Sequence, residues 1–263
     1  LSTKTITVFF IADVVGKPGA DIVAALLPGI KKTHRVDLCI ANGENADNGN
    51  GITETQTRQF FGIGIDVITG GNHTWSHVAF RHQLDISSRV LRPLNYPAEA
   101  PGKGSCVVTT PGGVPVAIVN LQGRTFMYPI DDPFRRGHEE ISRLREQTRL
   151  IVVDMHAEAT AEKMALAWYL DGQVSAFIGT HTHVQTADER ILPKGTAYIT
   201  DAGMTGPHDS VIGMDPQVAI KRFTTSLPEK YRIATSNIRL CGVVVEIDIE
   251  SGRALKITRI NLP

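Results

Sequence analysis

The sequence predicts a mixed α/β fold in which two β-sheets pack face to face as a sandwich, with helices on the outer faces. Three observations predict it. Short apolar, β-rich runs alternate with helix-like stretches early in the chain, a hairpin interrupts that alternation in the middle, and long alternating segments return near the end. Residues 5–12 form the first apolar run, after which Lys17-Pro18-Gly19 opens a helix-like stretch to about residue 27, with Pro18 where its missing N–H is tolerated. Residues 37–41 are the next strand. The loop over 42–52 then leads into Thr53-Glu54-Thr55-Gln56, a capping-box pattern that starts another helix. Residues 66–69 make a third strand, ending in Gly70-Gly71-Asn72-His73.

Residues 104–110 and 114–121 flank Pro111-Gly112-Gly113 and read as a hairpin, so antiparallel strands mix with βα units. Residues 150–153 form a strand running into Asp154-Met155-His156, and residues 159–170 have helical composition, stopping at Asp171-Gly172. The apolar run over 174–178 leads into Gly179-Thr180-His181-Thr182-His183, and residues 197–200, 240–249 and 255–260 supply further strands. With no linker, repeat or low-complexity stretch, residues 1–263 are expected to form a single domain.

Composition narrows the function. Lys plus Arg and Asp plus Glu balance at 27 each, so no global field draws the chain to long nucleic acid or to an anionic membrane, and an anionic ligand needs a local site. The apolar stretches are far shorter than a spanning helix, and no signal segment precedes them, which points to a cytoplasmic protein. Cys39, Cys106 and Cys241 lack paired metal spacing and an even count, and read as core thiols.

Polar, metal-capable residues stand where the strands run out: Asp13, Glu44 with Asn45, Asn72 with His73, His156, and His181 with His183. Ligands of α/β sheets gather at the carboxyl ends of strands, so these dispersed segments can converge. Asp13, Glu44, Asn45, Asn72, His156, His181 and His183 suit two metal ions rather than one. Imidazole, carboxylate and amide without thiolate favour iron, manganese or zinc and argue against an iron–sulfur cluster. Extended backbone over 181–183 would point both histidines to one side and turn Thr182 away. Each segment alone has a plainer reading as a turn former or a locally bonded histidine.

The order Asp13, Gly43-Glu44-Asn45, Gly71-Asn72-His73, His156, Gly179-Thr180-His181-Thr182-His183 resembles the calcineurin-like metallophosphoesterases. It is more similar still to their YmdB-like branch of 2′,3′-cyclic-nucleotide 2′-phosphodiesterases, through residues 120–126, Asp131-Asp132-Pro133-Phe134, and residues 154–160, 180–188 and 191–201. Two departures from the wider superfamily stand out: Val15 occupies the place of the usual first histidine, and Glu44 that of the bridging aspartate. The resemblance implies that Glu44 bridges two metals, iron first with manganese or zinc as alternatives. Asp13, Asn45 and His183 would complete one site, and Asn72, His156 and His181 the other. Hydroxide generated between two such ions would attack the phosphorus of a 2′,3′-cyclic nucleotide. Protonated His73 would stabilise the phosphoryl oxygens or protonate the leaving 2′-oxygen, giving a nucleoside 3′-phosphate. Thr74 rather than an acid follows His73, which weakens a reading in which a neighbouring carboxylate orients that ring. Asp154 and Asp201 could accept the free ring proton of a ligand histidine, and Arg124 is left outside the site.

The partner implied is therefore a small phosphate ester, and a homo-oligomer is an expectation from the likeness alone. A phosphomonoesterase or a broader phosphodiesterase would use the same metal site. A regulatory or RNA-associated module with a non-catalytic metal site is the alternative of another class, and the chain has no basic stripe to support it.

Overall fold

The computed structural model describes residues 4–263. One sheet contains β1 (Thr5–Ile11), β2 (Asp13–Val14), β3 (Leu38–Asn42) and β4 (Val67–Thr69) from the first part of the chain. The other contains β5 (Ser105–Thr109), β6 (Pro115–Gln122), β7 (Ile151–His156), β8 (Ala176–Thr180), β9 (Arg190–Ile191) and β10 (Ala197–Ile199). The chain then returns to the first sheet as β11 (Met204–Pro207), β12 (Ile238–Asp248) and β13 (Ala254–Leu262). The strand order is β2-β11-β12-β1-β3-β4 in the first sheet, with β13 paired to β12, and β5-β6-β7-β8-β10-β9 in the second. Both sheets are mixed: β1 runs parallel to β3 and antiparallel to β12, while β7 is parallel to β6 and β8, and β5 and β6 form the expected antiparallel hairpin.

The period-two alternation of β1 explains the layering. Val8 and Phe10 join Ile118, Val152, Ile178 and Val243 in a core between the sheets. Phe9 and Ile11 face the other way and pack with Val23 and Leu27 of α1 (Gly16–His34). In the second sheet, Val119, Val153 and Phe177 likewise turn outward, to Ile141 of α4 (Pro133–Leu144) and Leu166 of α5 (Thr160–Leu170). The result is the expected sandwich with helices outside. Cys39 and Cys241 are buried and Cys106 is half-buried, all three as free thiols. No described helix is long and apolar enough to cross a membrane.

The helices depart from the expected pattern in places. The first helix passes through Pro28 and ends at His34, because Val23, Leu27 and Ile30 continue one buried stripe. Pro28 and Ala24 are both exposed, so the carbonyl that Pro28 leaves without a donor faces water. The capping box at Thr53 does form, starting α2 (Glu54–Gly62), with Gln56 N–H donating to Thr53 Oγ1 and Thr53 N–H to Gln56 Oε1. A short α3 (Arg81–Ile86), the whole of α4, and α6 (Pro216–Thr225) were not anticipated. Two of them carry a legible start, Asp132 before Pro133 and Asp215 before Pro216, each Asp accepting backbone N–H bonds at the helix entry.

Candidate metal centre

The strand ends deliver their polar residues to one buried place on the seam between the sheets. Asp13 opens β2, Glu44 and Asn45 follow β3, and Asn72 and His73 follow β4. From the second sheet, His156 ends β7, while His181 and His183 follow β8. Asp13, Glu44, Asn45 and His156 are buried.

His156 Nε2 is the focus. It lies 3.1 Å from Glu44 Oε1, 3.1 Å from Asn72 Oδ1 and 3.0 Å from His181 Nδ1. Atoms held about 2.1 Å from one ion at right angles stand about 3 Å apart, so this spacing fits ligands of a single cation. Glu44, His156 and His181 form the metal-competent group of histidine and acid side chains found among the described residues. The approach depends on Gly71, where a Cβ would run into Glu44 Oε2 and His156 Nε2. Alongside, Asp13 Oδ1 is buried without a hydrogen-bond partner, and such an oxygen calls for a cation.

Charge tells the same story. Burial, tempered by His156, pushes the Asp13 carboxyl up to about 8. For His156, burial opposes the charged ring, but Glu44, Asp13 and Asp154 outweigh it and raise the group to about 9. Glu44 is likewise pushed up by burial, yet the His156 charge and the His156 and His73 hydrogen bonds hold it well below the usual carboxylate range. Burial and the neighbouring His156 drive His181 down to about 3, leaving a neutral imidazole. A proton on His156 thus balances the acids in the place where the ligand spacing fits a cation.

The three imidazoles are oriented by acceptors on their far sides. Thr180 Oγ1 donates to Asp154 Oδ1 (2.7 Å) and so accepts from His156 Nδ1 (3.0 Å), freeing Nε2 for the site. His181 Nε2 meets Glu158 Oε2 at 3.3 Å, freeing Nδ1. His183 Nδ1 donates to the Ile212 carbonyl (2.9 Å), so its Nε2 accepts from Asn45 Nδ2 at 3.2 Å. Asn45 would offer Oδ1 to a cation beside His183 only after a half-turn of its amide. His73 Nδ1 donates to Asn45 Oδ1 (2.9 Å), its N–H donates to Glu44 Oε2 (3.0 Å), and the side chain is 38% exposed.

Two expectations fail here. The backbone over 181–183 is not extended: His181 and His183 have φ of 98° and 64°. β8 ends at Thr180, and the chain turns through two left-handed residues, a strained arrangement held from outside. The hold comes from Asp201, whose Oδ2 accepts from Thr182 N–H (3.0 Å), Thr182 Oγ1 (2.8 Å) and the fully buried Lys163 Nζ (2.8 Å). Asp201 therefore bonds no histidine ring, and Asp154 reaches one only through Thr180. Nothing in their residue types marks Thr180, Ile212 and Lys163 as supports of this site. Glu158, two residues after His156, carried the only positional hint. Arg124 pairs with Asp132 at 3.4 Å.

Comparison with known proteins joins this geometry to a family. The family described as YmdB-like protein matches residues 9–260. The 2′,3′-cyclic-nucleotide 2′-phosphodiesterase of Bacillus subtilis is 49% identical over 253 residues, covering 96% of each chain. A solved structure of a hypothetical protein from Thermus thermophilus superposes with a TM-score of 0.91 at 43% identity, over 98% of this chain and 100% of that one. A phosphatase from Mycoplasma pneumoniae superposes at 0.93 with 35% identity, over 99% of this chain and 94% of that one. Since the family match spans both sheets and every strand end that feeds the centre, the chain belongs to the YmdB-like protein family.

Proposed function

We propose that this chain is a metal-dependent phosphodiesterase that opens 2′,3′-cyclic nucleotides to nucleoside 3′-phosphates, with residues 1–263 acting as one metallophosphoesterase-like domain. The observation that carries the reading is the meeting of His156 Nε2 with Glu44, Asn72 and His181 at 3.0–3.1 Å beside the partnerless Asp13 Oδ1. In this assignment Glu44 would belong to the ligand sets of both ions. Asp13, Asn45 and His183 would complete one set, and Asn72, His156 and His181 the other. The oxygen and nitrogen donors, with no thiolate, suit iron first and manganese or zinc as alternatives.

Such ions supply positive charge for a phosphoryl group and acidify water at neutral pH. The chain supplies the rest. Asp13 and Glu44 place two carboxyl groups on a floor closed to solvent, and the imidazoles are pre-oriented as ligands, with His156 giving up its proton where an ion takes that place. His73 stands at the rim with Nδ1 tied to Asn45, so its ring is placed to donate a proton to the departing 2′-oxygen. In the overall reaction the water oxygen bonds to phosphorus, the bond from phosphorus to O2′ breaks, and O2′ leaves with the electron pair and takes a proton.

The test is the initial rate on 2′,3′-cyclic AMP for metal-quantified protein, with Glu44→Gln alongside. Turnover that falls more than about 100-fold in Glu44→Gln supports the assignment, since removing even an outer partner of a metal ligand costs 10–100-fold. No turnover with two metals per chain removes the cyclic nucleotide. That outcome would favour a phosphomonoester, the reading to which the 35% identical phosphatase of M. pneumoniae lends support.

A further inference from the structure

The rim beside Asn72 and His181 carries a feature that phosphate chemistry does not use. Between β6 and α4 the chain makes a loop whose ends are tightly braced. Gly123 N–H donates to the His156 carbonyl, Arg124 and Thr125 N–H donate to Glu162, and Asp131 N–H donates to the Asn95 carbonyl. Between those braces Phe126, Met127, Tyr128 and Pro129 line a cleft of about 360 Å³ whose inner wall is Asn72 and His181. Phe126 is 89% exposed and Tyr128 69% exposed. Phe126 also sits at φ 61°, a left-handed conformation that a bulky aromatic residue rarely adopts. An anchored loop that spends strain to hold two aromatic rings in water, against two candidate metal ligands, is built to receive something flat.

We infer that this cleft is a nucleobase subsite, in which Phe126 and Tyr128 stack on the base of the substrate while its cyclic phosphate lies at the metal centre. This rests on the phosphodiesterase reading above and adds to it what the enzyme recognises beyond the phosphate. No carboxylate, ammonium or guanidinium group lines the cleft, and its face is largely aromatic and apolar, which suits an uncharged heteroaromatic ring. Base and cyclic diester sit on the same ribose, so a phosphate beside Asn72 and His181 brings its base to the cleft those residues help to form. Stacking on aromatic side chains tolerates any base, so the site selects nucleotides over other cyclic esters more than one base over another.

The experiment compares metal-loaded wild type, Phe126→Ala and Tyr128→Ala on 2′,3′-cyclic AMP and on glycerol 1,2-cyclic phosphate, which has the cyclic diester and no base. The ratio of kcat/KM for the nucleotide over the glycerol ester is expected to fall on the order of tenfold in each variant, through KM, and to recover in Phe126→Tyr. An unchanged ratio, whether both esters are slowed together or neither is, overturns the subsite. So does wild-type protein that cleaves both esters equally well, and that result leaves the phosphodiesterase standing. Calorimetric titration with adenosine 3′-phosphate and glycerol 2-phosphate reads the subsite without turnover. Tighter nucleotide binding in wild type that the alanine variants lose supports the subsite even if neither ester is hydrolysed, and equal binding of the two ligands overturns it.

Discussion

The two sheets contribute unlike chemistry to the centre. The first supplies its charge and its amides, Asp13, Glu44, Asn45 and Asn72, while the second supplies the imidazoles His156, His181 and His183. Their supports differ in the same sense. Carboxylates need donors behind them, and each carboxylate here takes one from the backbone, His181 N–H to Asp13 Oδ2 and His73 N–H to Glu44 Oε2, each at 3.0 Å, with Asn45 Nδ2 adding a side-chain donor to Glu44 Oε1 at 3.2 Å. Imidazoles need acceptors behind them, and these are Thr180 backed by Asp154, Glu158, and the Ile212 carbonyl. A backbone donor comes with the fold, whereas two of the three imidazole acceptors are side chains, and the one behind His156 is itself backed by the buried Asp154. The sheets are also interlocked, because the donor to Asp13 belongs to the histidine loop.

The largest expected effect breaks that buried structure. Asp201→Ala leaves Lys163 charged and fully buried with no counter-ion, and it also frees Thr182. Removing one partner of such a pair costs about 3–5 kcal/mol, which amounts to roughly 10 °C in Tm for a chain of this size. Calorimetry should show that loss, with partial recovery in the double variant Lys163→Met/Asp201→Ala. A Tm within about 2 °C of wild type would mean that the histidine loop does not depend on the pair.

A smaller effect sharpens the contrast. In Asp154→Asn, an amide replaces a carboxylate that accepts from Thr180, Thr69 and Asn42. Whichever way that amide turns, its NH2 faces a group that was donating. If it faces Thr180, the hydroxyl is driven to donate to His156 Nδ1, which puts the ring proton on Nε2 and blocks the metal-facing lone pair. Metal affinity, measured against a competing chelator, should fall 10–100-fold with the fold retained. Unchanged affinity would remove Asp154 from the support of His156.

Much of the candidate centre is legible in its convergence alone, because each strand's apolar run stops abruptly at a residue type that can bind metal, and the strand ends are where an α/β sandwich gathers its ligands. Asp13, Glu44, His156 and the two histidines of the 181–183 loop are all read that way. The left-handed backbone at His181 and His183 was not legible, since neither residue type demands positive φ and the hold on the loop comes from Asp201, 18 or more positions onward. Lys163 lies within the helix predicted over 159–170, and only its ion pair with Asp201, just past β10, reveals a buried cation. Likewise Pro28 and Gly29 imitate a helix end so long as the buried stripe beneath them is unseen. Phe126 and Tyr128 belong to no periodic pattern, and their meaning comes from standing over Asn72 and His181.

The smallest effect tests how far support for the second sheet extends. Asp188 lies beyond His183 and clips that segment to the end of β10, accepting from Thr186 Oγ1 at 2.6 Å, from Thr200 N–H at 3.2 Å and from the Thr200 hydroxyl. Burial works to raise its pKa, but those three donors outweigh it and hold the carboxyl below its ordinary value of 3.8. Because the folded-state pKa is depressed, the folded protein favours the ionised form. The stabilisation is therefore present above 3.8 and is lost as pH falls through the lower folded value. Asp188→Asn should cost about 1 kcal/mol at neutral pH, the net worth of one or two hydrogen bonds. In urea titrations the gap to wild type should hold down to about pH 5 and close only below about pH 4. A gap that persists undiminished in acid would mean that the clip works by shape rather than by charge, and the reliance of the second sheet on ionised acceptors would stop at the residues touching the imidazoles.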